Sequence, residues 1–198
     1  DGEILFTERM ATDSGKTELD YAISLKMVLE LREIKVSEIT GAIIGSVVPP
    51  VTSLMREAIR KVTGQEALVV NVDMNIGLEV LMDNPSSVGT DLIVGAVAGI
   101  NRYPVPLILI DMGTATTICV VNENKQYIGG MILPGIGVSM NSLTSRTAQL
   151  PRISLDPPKR LIGKNTVECM QSGALYGNAS CIDGMVDRIE EELGLVFL

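Results

Sequence analysis

The sequence contains no histidine and no tryptophan, and only 3% of its residues are aromatic. Without an imidazole, neither a histidine general base nor a histidine metal ligand is available. Carboxylates, hydroxyls, lysines and backbone amides must therefore carry any chemistry. Three cysteines, an odd number without a short paired spacing, argue against both a disulfide framework and a thiolate metal site. We therefore expect a reducing, cytoplasmic environment.

The chain also lacks long apolar runs and an excess of positive charge. No apolar stretch approaches the roughly 20 residues that a membrane helix needs, and we expect neither a membrane span nor a signal peptide. Sixteen basic and twenty-four acidic residues leave a net charge of −8, which argues against nucleic acid and anionic membranes as partners. With 198 residues, 46% of them hydrophobic, we expect a folded, soluble protein.

Strand-like and helix-like segments alternate along the chain, which predicts an α/β fold. The predicted strands are residues 1–11, 41–50 and 66–73, and three strands of a meander within 107–121 and 125–135. The predicted helices are residues 17–31, 50–63, the end of 85–100, 136–147 and 165–194. A short polar connection with two prolines, residues 101–106, is the best candidate for a domain boundary.

Several helix ends carry recognisable signals. Thr17 followed by Asp20 is typical of a capping box, and Asn165 followed by Glu168 is typical of an N-cap. Gly194 is expected to end the last helix. The first helix also carries apolar residues at helical spacing, namely Leu19, Ile23, Met27 and Leu31.

Asp111 stands out because it lies between two apolar segments in "LILIDMGTATTICVV", residues 107–121. One explanation is structural, since an aspartate at the end of a strand commonly caps its own turn. The other is functional. Backbone N–H groups and threonine hydroxyls of one bend can converge on an anion such as phosphate, while the carboxylate holds a cation. The residues of this stretch alone leave both explanations open.

Several further motifs occur in a fixed order with Asp111. They are "RMATD", "GSVVPP", "NPSSVGTD", "DMGTATT", "GGMILPG", "TAQLPRI" and "GKNTVECMQSGALYG". In these motifs and their spacing the sequence resembles the type III pantothenate kinases, members of the superfamily that also contains actin, sugar kinases and Hsp70-like chaperones.

The resemblance implies transfer of the γ-phosphoryl group of ATP to the primary hydroxyl of pantothenate, the first step toward coenzyme A. It also implies two ribonuclease-H-like (actin-like ATPase) domains, residues 1–104 and 105–198, each a mixed sheet flanked by helices, with the nucleotide between them. A cytoplasmic homodimer is implied as well. The implied cofactors are Mg²⁺ bound with ATP and a monovalent cation, K⁺ or NH₄⁺.

Pantothenate contacts are implied for one stretch and for one later residue. They are Gly89, Thr90, Asp91, Leu92 and Thr166. Asp91 matches the acid of the family's G-x-D-R motif, which acts as the catalytic base. A carboxylate suits that role because phosphoryl transfer has a loose transition state, in which the attacking hydroxyl loses its proton late. Thr166 lies just inside a predicted helix N-terminus, which favours a carboxylate such as that of pantothenate, but it is also an ordinary residue for a helix start.

The resemblance also assigns residues of the Asp111 stretch. Asp111 matches the acid that holds the monovalent cation, and Gly113 and Thr114 match the part of the motif that binds ATP. Together these assignments predict that the carboxylates of Asp91 and Asp111 face one cleft, where the terminal phosphate meets the alcohol.

The sequence departs from the family pattern at three points. Leu92 stands where the family has an arginine, and leucine cannot form the bidentate contact of a guanidinium with a carboxylate or phosphate. The family's opening D-x-G-N-T strand with its phosphate loop and its late Gly-Gly segment have no counterpart here. We therefore expect the intact protein to be heavier than 21.2 kDa.

Two other functions stay open because of these departures. The first is a homologue with impaired catalysis that acts as a regulatory or metabolite-binding protein. The second is a kinase for another small hydroxylated substrate, since Leu92 would suit a more apolar pocket.

Overall fold

The computed structural model describes residues 2–197, which form helices and strands in two compact units. The first unit contains the chain up to Asn75 together with Asn84–Val94, and the second contains Ile76–Asp83 and the chain from Gly95 onward. The mixed α/β class is confirmed. The predicted domain ranges 1–104 and 105–198 stay a prediction. No helix in the described part of the chain is long and apolar enough to cross a membrane.

The first unit pairs two helices with a short parallel sheet. It contains α1 (Glu18–Leu31), β1 (Ala42–Ile44), α2 (Pro49–Thr63) and β2 (Ala67–Val69). The buried residues between α1 and α2 are Tyr21, Ala22, Val51 and Ala58. The capping box predicted at the start of α1 is confirmed, since Thr17 and Asp20 exchange side-chain and backbone hydrogen bonds.

Three strand predictions for this unit were wrong in extent or position. Residues 2–11 contain no strand, and residue 1 lies outside the described residues. The predicted strands 41–50 and 66–73 shrink to β1 and β2, because strand structure extends only as far as the two segments pair with each other. The apolar residues of α1 at helical spacing lie on its exposed side, at 53–76% exposure. The spacing therefore predicted the helix but not its buried face.

The second unit is built on a four-stranded sheet in the order β3-β6-β5-β4. Its strands are β3 (Glu79–Val80), β4 (Leu107–Met112), β5 (Ala115–Val121) and β6 (Gln126–Pro134). The predicted meander is confirmed, because β4, β5 and β6 pair antiparallel in chain order. The two-residue strand β3, which pairs parallel with β6, was not predicted because so short a segment has no periodicity.

Three helices complete the fold. They are α3 (Thr90–Arg102), which begins in the first unit and ends in the second, α4 (Ile136–Arg146) and α5 (Thr166–Leu193). Ile189 of α5 packs on Ile118 and Val120 of β5 to form a hydrophobic core cluster of the second unit. On the opposite face of the sheet, Gly99 of α3 lies close to β4. An added Cβ on Gly99 would be 3.0 Å from a methyl carbon of Leu109.

Candidate active site

The predicted catalytic acid lies in the first turn of α3, in the first unit. Asp91 is exposed, and its Oδ1 accepts a hydrogen bond from the Leu92 N–H at 2.9 Å. The carboxylate lies directly over Gly89, where an added Cβ would be 2.4 Å from Oδ1. A glycine at this position therefore leaves room for the carboxylate at the helix N-terminus, where a negative charge is favoured.

Thr90, the first residue of α3, contributes a hydroxyl to the same helix start. Its Oγ1 is buried and has no hydrogen-bond partner among residues 2–197. A buried hydroxyl without a partner is costly unless a ligand or water satisfies it. Leu92 is half-buried beside it, so an apolar side chain follows the predicted base.

The second group of predicted residues lies at the turn between β4 and β5, in the second unit. Gly113 and Thr114 form this turn, and the Gly113 N–H donates to the Ala115 carbonyl at 3.0 Å. Both residues are exposed, as is Asp111 near the end of β4. The structure therefore brings the predicted ATP-binding residues and the predicted cation ligand to one end of one hairpin.

The threonines of the hairpin do not all point to one side. Thr117 is paired directly across from Asp111, whereas Thr116 is paired with Met112. Because side chains alternate along a strand, Thr117 shares a face with Asp111 and Thr116 lies on the opposite face. Only Thr114 lies in the turn itself. All three hydroxyls therefore do not converge on one anion, because Thr116 is 3% exposed on the other side of the sheet.

The hydroxyls of Thr116 and Thr117 are both buried, and neither has a hydrogen-bond partner within residues 2–197. The family resemblance implies no individual role for either residue. Side chains alternate along a strand, so the prediction of a strand here was enough to separate Thr116 from Thr117.

The start of α4 contacts the same turn. Gly135, which precedes α4, donates its N–H to the Thr114 carbonyl at 3.0 Å. An added Cβ on Gly135 would lie 2.2 Å from the Gly113 carbonyl oxygen. The "GGMILPG" motif was recognised as a family feature, but its last glycine was not predicted to touch the turn.

Thr166 is the first residue of α5, as predicted, and it is exposed. The predicted N-cap is confirmed, since the Asn165 Oδ1 accepts from the Glu168 N–H at 2.9 Å. The hydrogen bond from the Lys164 N–H, supported by the nearby Arg160 guanidinium, lowers the pKa of Glu168 although partial burial opposes this.

Thr166 also lines a cavity of about 500 Å³ between α4 and α5. Most of the lining is apolar, with Met140, Leu143 and Met170 among its side chains, and Ser139 and Asn178 add polar groups. This mixture of an apolar wall with a few polar groups is typical of small-molecule sites.

Comparison with known proteins decides the family. The sequence model of the type III pantothenate kinase family matches residues 1–188. A type III pantothenate kinase from Bacillus cytotoxicus is 44% identical over 192 residues, which cover 97% of this chain and 73% of that protein. The chain belongs to the type III pantothenate kinase family.

Two side-chain oxygens of the hairpin have the chemistry of cation ligands. The Asp111 carboxylate and the unpartnered Thr117 hydroxyl lie on the same face of the sheet, and such oxygens suit hard cations. Within residues 2–197, no three or more His, Cys, Asp or Glu side chains gather into a possible metal site.

The assignments of individual site residues stay predictions. Asp91 belongs to the first unit, whereas Asp111, Gly113, Thr114 and Thr166 belong to the second. The shared cleft for the two carboxylates likewise remains a prediction from the family resemblance.

Proposed function

We propose that the protein transfers the γ-phosphoryl group of ATP to the primary hydroxyl of pantothenate, giving 4'-phosphopantothenate and ADP in the first step of coenzyme A biosynthesis. Membership of the type III pantothenate kinase family is the observation that carries this proposal. The position of Asp91 supports it, since an exposed carboxylate at a helix start is open to a substrate hydroxyl.

Asp91 acts as the base. Its Oδ1 is held by the Leu92 N–H, and the second carboxylate oxygen orients the pantothenate hydroxyl. The hydroxyl oxygen forms a bond to the γ-phosphorus, the bond from that phosphorus to the β–γ bridging oxygen breaks, and the proton passes to the carboxylate as ADP leaves. A weak base is sufficient, because the proton is lost late in a loose transition state.

The turn of Gly113 and Thr114 binds the phosphates of ATP, which arrives with Mg²⁺. Asp111, with the Thr117 hydroxyl on the same face, holds K⁺ or NH₄⁺. The cation supplies positive charge that offsets the charge of the phosphate oxygens. The protein contributes the oxygen ligands and the hydroxyl of Thr114, which is exposed at the tip of the hairpin.

Thr166 binds pantothenate at the start of α5. A hydroxyl and the N–H groups of a helix N-terminus favour an anion, and pantothenate carries a carboxylate. The cavity beside Thr166 supports this role, because its size suits a small molecule and its apolar lining suits the branched alkyl part of pantothenate. Gly89, Thr90 and Leu92 complete the pantothenate contacts in the first unit.

The proposal includes the architecture and assembly that the family implies. These are two ribonuclease-H-like domains, a homodimer and a cytoplasmic location. The parallel and mixed sheets with flanking helices are compatible with this architecture.

Leu92 favours a second candidate, a kinase for a different small hydroxylated substrate. Leucine offers no guanidinium to a carboxylate, and its half-buried side chain makes the start of α3 more apolar than the family pattern. A regulatory or metabolite-binding homologue without turnover is the alternative from a different functional class.

A coupled ADP-release assay with ATP, Mg²⁺ and K⁺ tests the proposal. We expect ADP release that requires pantothenate and falls when Na⁺ replaces K⁺. Turnover with other hydroxylated acceptors but not with pantothenate would support the second candidate. Nucleotide binding without turnover on any acceptor would contradict both kinase functions and support the regulatory homologue.

A further inference from the structure

The start of α4 and the turn between β4 and β5 are in direct backbone contact. The Gly135 N–H donates to the Thr114 carbonyl at 3.0 Å. An added Cβ on Gly135 would lie 2.2 Å from the Gly113 carbonyl oxygen and 2.6 Å from the Thr114 carbonyl oxygen. Gly135 is also buried. From this contact we propose that Gly135 is a positioning residue, which fixes the turn that binds the phosphates of ATP.

Gly135 must be a glycine because there is no room for a Cβ, and not because of its backbone conformation. Gly135 has φ −64° and ψ 159°, which any residue can adopt. The atoms that an added Cβ would meet belong to the backbone, so no side chain can rotate away to make room. A methyl group at this position must therefore move either the turn or the start of α4.

The inference rests on the proposed function, in which Gly113 and Thr114 bind the nucleotide. A displacement of about 1 Å in a positioning group can reduce a rate about 100-fold. For Gly135→Ala we expect kcat/KM for ATP to fall about 100-fold, mainly through a higher KM for ATP. The KM for pantothenate should change less than about twofold, because the contact displaces the phosphate turn and not Asp91.

Gly137→Ala is the matched control. It makes the same substitution two residues later in the first turn of α4, and an added Cβ there meets nothing within 4 Å. We expect both kinetic constants of this variant to match those of the unmodified protein. We also expect a slightly higher melting temperature, because alanine is favoured over glycine within a helix.

The experiment compares both variants in the ADP-release assay and measures binding of a non-hydrolysable ATP analogue and thermal unfolding. A rise in the KM for ATP and weaker analogue binding for Gly135→Ala alone support the positioning role. Equal behaviour of the two variants, or a loss confined to the KM for pantothenate, overturns it. Absence of turnover in the unmodified protein would contradict the proposed function instead, and analogue binding would still test the positioning role.

A measurement on the unmodified protein covers the case in which Gly135→Ala does not fold. Hydrogen exchange is followed with and without the ATP analogue. We expect the analogue to slow exchange in residues 113–117 and, together with them, at the Gly135 amide that donates to Thr114. Protection of the turn without any change at residues 135–139 would overturn the inference.

Discussion

The first turns of α3 and α5 both carry predicted pantothenate contacts, but the polar groups of the two helix starts differ in their hydrogen-bond partners. At α5, Asn165 accepts the Glu168 N–H at 2.9 Å and Glu168 accepts the Lys164 N–H at 3.0 Å, so side chains satisfy these two backbone donors. At α3, Gly89 has no side chain that could accept a hydrogen bond from the N–H groups of the first turn. The Thr90 hydroxyl has no partner in the described part of the chain.

This difference predicts that substitutions at one helix start change mainly stability and that those at the other change mainly substrate binding. The capping residues Asn165 and Glu168 bond to backbone groups of their own helix start, so they should matter mainly for stability. The start of α3 leaves a hydroxyl and an exposed carboxylate for a ligand, so its polar side chains should matter mainly for substrate binding and turnover. Substitutions at the two helices test this distinction.

Asp91→Asn at α3 should have the largest effect. The amide oxygen can still accept from the Leu92 N–H, but the amide cannot take up the proton of the substrate hydroxyl. We expect kcat to fall about 100-fold to 10,000-fold, measured by ADP release, and the melting temperature to fall by no more than about 4 °C through loss of the favourable charge at the helix N-terminus. Full turnover in this variant would show that another group serves as the base.

Thr90→Val should affect binding and stability in opposite directions. Valine fills the same volume without the unpartnered hydroxyl, so we expect the free energy of unfolding to stay the same or to rise by up to about 1 kcal/mol. The KM for pantothenate should rise about three- to tenfold, which corresponds to the loss of about one hydrogen bond.

Thr166→Val at α5 is the matched comparison for Thr90→Val. Thr166 is exposed and Asn165 provides the cap, so its substitution should leave the stability unchanged while the KM for pantothenate rises. If Thr90→Val destabilises the protein and leaves the KM unchanged, the Thr90 hydroxyl serves the fold and the contrast between the two helices is wrong.

Asn165→Ala should lower stability without a comparable effect on catalysis. It removes the acceptor for the Glu168 N–H, and the loss of such a cap costs about 1 kcal/mol. Urea unfolding measures the change, and ADP release at saturating substrates should stay within about twofold of the unmodified protein. A stability equal to that of the unmodified protein would mean that α5 does not depend on its cap.

Glu168→Gln should have the smallest effect, and the effect should depend on pH. The pKa of Glu168 is lowered below its ordinary value of 4.5 in the folded protein, so the carboxylate stabilises the fold above about pH 4.5. That contribution is lost as the pH falls through the lower folded pKa. We therefore expect the glutamine variant to be less stable than the unmodified protein at pH 7, with a difference that shrinks below pH 4.5.

Thermal unfolding across this pH range measures the Glu168 effect. Glu123→Gln is the control, because Glu123 is exposed in the turn between β5 and β6. Its substitution removes one negative charge, as Glu168→Gln does, and its unfolding is followed over the same pH range for comparison. A constant difference for Glu168→Gln between pH 7 and low pH would contradict the prediction.

Local signals predicted the helices well because they involve neighbours in the chain. Thr17 with Asp20 and Asn165 with Glu168 are three residues apart, so a single turn of backbone brings each pair together. Gly194 ends α5 in the left-handed conformation at φ 64°, as the sequence predicts. The same locality explains why the β4-β5-β6 meander was predicted.

Long-range pairing was predicted poorly. The strand expected in residues 1–11 is absent from residues 2–11, and the sequence gives no sign that β3 pairs with β6. The apolar spacing of α1 indicated a helix, but burial depends on which side α2 contacts. These features require knowledge of partners that are distant in sequence.

The sequence by itself determined the family, the helix ends and the identity of the acids and threonines available for chemistry, because motifs and caps depend on residue type and short spacing. Only the tertiary structure decided which groups meet in space. It paired Thr117 with Asp111 on one face of the sheet and brought Gly135 against the turn of Gly113 and Thr114. Strand pairing and the close approach of backbones set such contacts, and residues far apart in the chain determine both.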